Sequence, residues 1–152
     1  MTVVSLRPVE PADEEFLLRV YASTREDELA LTDWTDEQKA AFVRHQFDAQ
    51  DSHYSQHYPT ATFDVVLVDG EPVGRLYVDR WPKETRIVDI ALLPECRGHG
   101  VGGELIERIQ AEGREVSIHV ERFNPAQRLY ARLGFVPEDA GPVYALMRWT
   151  PT

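Results

Sequence analysis

A single cysteine in 152 residues excludes a disulfide framework and any zinc site built on paired cysteines. No apolar run approaches the roughly 20 residues that a membrane span needs, and the first 20 residues contain no apolar signal core. These absences predict a reducing, cytoplasmic setting without a membrane partner. Basic residues are also scarce: 16 Lys and Arg stand against 26 Asp and Glu, for a net charge of −10. Nucleic acid is therefore excluded as the main partner, because neutralising phosphates takes basic surface.

What remains suits one domain over residues 1–152, with 43% hydrophobic and 28% charged residues. The acidic excess is uneven. Residues 1–60 hold 5 basic against 12 acidic side chains, and residues 61–152 hold 11 against 14. An anionic ligand is thus expected in the C-terminal part, and the acidic N-terminal part reads as a solvated helix surface or a lure for a cationic acceptor.

The chain opens with a short β-rich run, Thr2 to Leu6, that stops before Pro8. Pro11 and the acids Asp13, Glu14 and Glu15 start a helix with Phe16, Leu17 and Val20 on one face. Thr35 and Gln38 form a capping-box signature ahead of the stripe Ala40, Val43 and Phe47. From Asp51 to Pro59 no period is visible. Strands are expected over 62–68 and 72–78 around an Asp69-Gly70 turn, then over 85–93. A helix from Gly100 to Ala111, a strand over 116–120, a helix over 124–133 and a strand over 143–149 complete the chain. The order β-α-α-β-β-β-α-β-α-β is an α/β (α+β) arrangement, a central mixed sheet with helices on both faces.

The most informative stretch runs from Pro94 to Gly103, with four glycines in its last six residues. It lies between a buried strand and an amphipathic helix. Glycines let the backbone turn tightly and present N–H groups, while the helix start adds unpaired donors and a positive dipole end. Main chain of this kind cradles a pyrophosphate, with Arg97 as a charge partner. Gly98-x-Gly100-x-x-Gly103 also fits a dinucleotide fingerprint, but about 50 following residues are too few for a nicotinamide-binding sheet. No Gly-Lys-Ser/Thr follows, which excludes a P-loop.

Arg97-x-x-Gly100-x-Gly102, together with Asn124 to Phe135, resembles the GNAT superfamily of acetyl-CoA-dependent N-acetyltransferases. The resembling features are the Arg/Gln-x-x-Gly-x-Gly/Ala motif and the Asn-x-x-x-x-Leu-Tyr…Gly-Phe signature. The resemblance implies transfer of acetyl from acetyl-CoA, as co-substrate, to a primary amine by direct attack. It implies that Ile90, Ala91 and Leu92 pair with the pantetheine arm, on a strand splayed from its neighbour. It places the pyrophosphate on the stretch Gly98, His99, Gly100, Val101, Gly102 and Gly103, with Arg97 beside it. Asn124, six residues before Tyr130, would contact the cofactor. Tyr130 would serve the leaving thiolate as an acid. His119 or Asp89 would be the base or the end of a water relay, since an attacking amine must be neutral.

The acceptor pocket would draw on Tyr21, Glu26, Glu28 and Trp34, whose aromatic and acidic side chains suit a cationic amine. A small-molecule amine and a peptide N-terminus are both open as acceptors, and a homodimer is compatible with the resemblance. Cys96 lacks a His/Asp set for an acyl-cysteine route. His45, His53 and His57 lack a completing carboxylate frame, and no metal is expected. A non-catalytic acyl-CoA-binding module of the same fold is the alternative reading.

Overall fold

The computed structural model describes residues 2–122 and 124–152. Strand β1 (Val4–Pro8) leads through a 3₁₀ turn (Pro11–Asp13) to helices α1 (Glu14–Ser23), α2 (Glu26–Ala30) and α3 (Asp36–His57). Strands β2 (Thr62–Val68), β3 (Glu71–Arg80) and β4 (Glu84–Leu92) follow. A second 3₁₀ turn (Pro94–Cys96) precedes α4 (Val101–Gln110), β5 (Glu115–Glu121), α5 (Gln127–Arg132), β6 (Val136–Ala140) and β7 (Tyr144–Trp149). Among the described residues, seven strands form one mixed sheet in the order β1-β2-β3-β4-β5-β7-β6, in which only β4 and β5 are parallel neighbours. None of its described helices is long and apolar enough to cross a membrane.

Local chemistry explains these elements. Thr35 accepts from the Gln38 amide, and Gln38 accepts in return from the Thr35 amide, so the expected capping box starts α3. Asp69 and Gly70 both have positive φ, 51° and 84°, as a two-residue hairpin turn of primed type requires. Three features depart from the expectation. Helix α3 runs on to His57, α2 is an extra short helix, and β6 pairs with β7 at the sheet edge. Ala40 is exposed, so α3 packs through Val43 and Phe47, with the half-buried Phe42 beside them.

Two apolar clusters lie on the two faces of the sheet. Leu105, Ile106 and Ile109 of α4 pack with Ile87, Val116, Ile118 and Val120. Leu17 and Tyr21 of α1 pack with Leu29, Val43 and Phe47. The second cluster is small, and polar contacts complete the seating of α3, as described below.

Candidate active site

Strands β4 and β5 pair from Glu84 with Glu115 to Ile87 with Ile118, and among the described residues no rung follows. Beyond that point β4 keeps its bonds to β3 and diverges from β5. The divergence opens a cleft of about 690 Å³, lined by 88–91 from β4, 118–121 from β5, and side chains of α1, α3 and α5. A bulge sits at the fork. Tyr77 pairs with Asp89 and Val78 with Ile87, so Val88 is the extra residue on β4. Gly74 holds β3 close to this edge, since a Cβ there would stand 2.2 Å from the Ala91 carbonyl oxygen.

The bulge decides which side chain faces the cleft. Ile87 belongs to the core beneath α4, and strict alternation would send Asp89 to the same side. The extra residue turns Asp89 toward α3 instead. There its Oδ2 accepts from the Tyr54 hydroxyl at 2.8 Å and from the Arg75 guanidinium at 2.7 Å. Arg75 also donates to Gln50 at 2.8 Å and stands 5.2 Å from the Tyr77 ring centroid. Arg75 is 3% exposed, yet it keeps its proton: burial opposes the charge, and Asp89 foremost among its neighbours sustains it. The Tyr54 phenol is pushed up by burial first and by the Asp89 charge second. Asp89 Oδ1 has no hydrogen bond among the described residues and remains open on the cleft side.

Tyr130 lines the cleft from α5 and is buried. A Schellman motif fixes it. The Phe135 amide bonds the Tyr130 carbonyl, the Gly134 amide bonds the Ala131 carbonyl, and Gly134 takes φ 96°. The Tyr130 and Phe135 rings pack with centroids 5.9 Å apart. Burial, with a smaller push from Asp89, raises its phenol to about 12, so it is protonated at neutral pH. Its hydroxyl has no hydrogen-bond partner among the described residues.

His119 lies on β5 opposite in facing to Ile118 and Val120, as alternation predicts, and it lines the cleft. Its Nδ1 stands 3.2 Å from Arg86 Nη1. Burial first, and Arg86 second, lower its affinity for a proton.

The glycine stretch lies where β4 gives way to α4. Gly98 and Gly100 have φ of 79° and 81°, and a Cβ on either would meet nothing within 4 Å. The amides of 98–103 donate no hydrogen bond among the described residues. They therefore fit a phosphate group in conformation, in space and in free donors. A Cβ built on Gly102 or Gly103 would meet Leu129 of α5 at 3.7 or 3.8 Å, an ordinary van der Waals contact, so packing does not itself demand glycine there. Val101 is buried, so only its backbone can serve the cradle. Arg97 donates through Nε to the Leu92 carbonyl at 3.0 Å, and His99 is exposed. Ile90 and Ala91 line the cleft, and Ile90 and Leu92 also pack against the core. Asn124 lines the cleft and accepts the Ala126 amide through Oδ1 at 2.9 Å, which leaves its NH₂ group unused in that bond.

Of the four acceptor candidates, only Tyr21 is among the described residues lining the cleft. It donates to Gln46 and accepts from Arg25. Glu28 bridges Arg25 at 3.0 Å, Glu26 is exposed on α2, and Trp34 packs edgewise on Phe42 at 5.1 Å. These three lie outside the described lining of the cleft. Arg25, Tyr54, Tyr58 and Arg75 line it instead. The signal for Arg75 was present: a lone acid in an apolar strand needs a counter-charge, and the neighbouring strand carries one. Cys96 is half-buried against the core, and the His53 and His57 rings stack at 4.1 Å. Among the described residues no three His, Cys, Asp or Glu side chains gather as metal ligands.

The family model described as "Acetyltransferase (GNAT) family" matches residues 23–135. No curated protein matches the sequence. Solved structures of similar fold include the PaiA N-acetyltransferase from Thermoplasma acidophilum in complex with coenzyme A. It is 18% identical with a TM-score of 0.71, over 97% of this chain and 99% of that one. An acetyltransferase from Thermus thermophilus is 24% identical with a TM-score of 0.70, over 99% and 97% of the two chains. A GNAT family acetyltransferase from Elizabethkingia anophelis with acetyl-CoA bound is 16% identical with a TM-score of 0.60, over 97% of each chain.

Proposed function

Because the chain belongs to the acetyltransferase (GNAT) family, whose co-substrate is acetyl-CoA, we propose that it acetylates a primary amine by direct attack in the β4–β5 cleft. The observation that carries this reading is the juxtaposition at the fork. A buried, protonated phenol, an open carboxylate oxygen and unpaired strand edge line one cleft, and the strand leads straight to the glycine cradle.

Each residue then has a defined task. The amides of 98–103 hold the pyrophosphate, and Ile90 and Ala91 offer their free strand edge to the pantetheine arm. Arg97, His99 and the Asn124 amide supply further donors around the cofactor. Asp89 Oδ1 accepts a hydrogen bond from the incoming ammonium and takes its proton, directly or through one water, on its way to solvent. The neutral nitrogen forms the new C–N bond as the C–S bond breaks. Tyr130 donates its O–H to the sulfur that leaves. A thiol ionises near pH 8.5, so full transfer from a phenol at about 12 is uphill by about 5 kcal/mol. Tyr130 therefore stabilises the thiolate by a hydrogen bond, and the sulfur takes its final proton from solvent.

The acceptor is a small amine or a peptide N-terminus, received between α1, α3 and the cleft. Calorimetric titration with acetyl-CoA, with NADH as control, followed by an amine panel read by thiol release, tests the proposal. Binding of acetyl-CoA alone, with amine-dependent release, is the expected result. Binding without turnover would make the protein an acyl-CoA-binding module, and binding of neither ligand would overturn the reading altogether.

A further inference from the structure

The proposed chemistry leaves His119 and its neighbour Arg86 without a task. Arg86 is locked on the last paired rungs before the fork. Its Nε donates to Ser117 Oγ at 2.8 Å, Ser117 in turn donates to Glu84, and Glu84 Oε2 stands 3.9 Å from Arg86 Nη2. The guanidinium also lies 5.0 Å from the centroid of the Trp81 ring. Ser117 is wholly buried, and alternation puts it on the same face as His119. The remaining nitrogen, Nη1, meets His119 Nδ1 at 3.2 Å.

We propose that Arg86 is a positioning residue which fixes His119 in the tautomer with the proton on Nε2, so that His119 serves the cleft as a hydrogen-bond donor to a substrate oxygen. The argument is one of inventory. A guanidinium has five N–H donors and no acceptor, so contact at this distance engages the lone pair of Nδ1. A neutral imidazole with Nδ1 as acceptor carries its single proton on Nε2 and has no lone pair left to act as a base. Protonating Nδ1 would set N–H against N–H beside a fixed positive charge. The lowered proton affinity of His119 agrees with this arrangement.

Recognition follows from that polarity. Asp89 Oδ1 is an acceptor at the cleft, and His119 is a donor at the first β5 position beyond the last rung. Resting on the proposed acetyl transfer, the pair selects an acceptor that carries an oxygen acceptor near its reacting amine. A bare alkylamine satisfies only Asp89.

Long-range ¹H–¹⁵N correlation spectra of the ¹⁵N-histidine-labelled protein without ligand read the tautomer directly. A pyridine-like Nδ1 and a pyrrole-like Nε2 are expected for His119. Arg86→Met should bring the two shifts toward the averaged pattern of a free imidazole, and Arg86→Lys should restore them in part. If Arg86→Met does not fold, Ser117→Ala, which releases one restraint on Arg86, serves as the second variant. A protonated Nδ1 in the wild-type protein would overturn the proposal. In turnover, H119Q keeps an N–H donor and should retain kcat/KM within about threefold, whereas H119E should lose about tenfold or more. The opposite order would make His119 a base. Absence of any acetyl transfer would refute the proposed function and leave the tautomer measurement standing.

Discussion

Tyr54 donates its hydroxyl to Asp89 across 2.8 Å, and that bond joins α3 to the edge of β4 where the cleft begins. It shares Asp89 Oδ2 with Arg75, so the two donors are not equivalent when removed. Tyr54→Phe leaves the ion pair whole and should cost about 1 kcal/mol. Asp89→Asn leaves a guanidinium in the interior without its counter-charge and should cost about 3–5 kcal/mol. Urea unfolding of the two variants measures the difference, and equal losses would contradict the arrangement described.

Tyr130→Phe removes only a hydroxyl with no protein partner among the described residues, and the packing against Phe135 survives. Stability and acetyl-CoA affinity should therefore stay near wild type. The turnover number should fall on the order of 10²-fold, the usual effect of losing one donor to developing charge. Single-turnover kinetics beside calorimetry separate the two effects. An unchanged turnover number would remove Tyr130 from the mechanism.

Two glycines respond oppositely to a methyl group. Gly74→Ala drives a Cβ into the Ala91 carbonyl oxygen and must push β3 from β4, at a cost of about 3 kcal/mol or more, with loss of cofactor binding. Gly102→Ala meets Leu129 at an ordinary 3.7 Å and should be tolerated in both stability and affinity. Thermal unfolding with and without acetyl-CoA reads both.

Asp13 supplies a pH dependence remote from the site. The Arg7 guanidinium foremost, and then the Glu10 amide, hold its carboxyl down to about 2, against 3.8 for a free side chain. Its stabilisation is fully present above pH 3.8 and disappears as pH falls through about 2. Arg7 is one-third exposed, so solvent screening keeps this contribution modest. Asp13→Asn should flatten the loss of stability between pH 4 and 2 in acid titrations followed by circular dichroism.

Residues with a local cause for their conformation could be read from the sequence. The Asp69-Gly70 turn, the Thr35–Gln38 cap and the glycine start of α4 each depend on a few neighbouring residues. Helix α3 beyond residue 50 could not be read this way, because it is anchored by Gln50 and Tyr54 through polar bonds to a distant strand. Strand β6, with Pro137 and two acids, lacks a β signature and exists because β7 offers it an edge. Tyr130 and the cradle were visible as motif residues. Arg86 was hidden because an arginine in an alternating strand normally faces water, and only tertiary cover turns it inward, whereas Arg75 could be sought through the need of Asp89 for a counter-charge.

The single unpaired residue at Val88 gives β4 something like a reading frame. Upstream of it, odd-numbered side chains enter the core beneath α4 and even-numbered ones take the other face. Downstream the assignment is inverted. A deletion there would leave every other residue of the strand chemically intact and still exchange the contents of the two sheet faces, burying Asp89 beneath α4 and turning Ile90 out toward α3. Variation in this strand is thus tolerated by substitution far more readily than by a change in length.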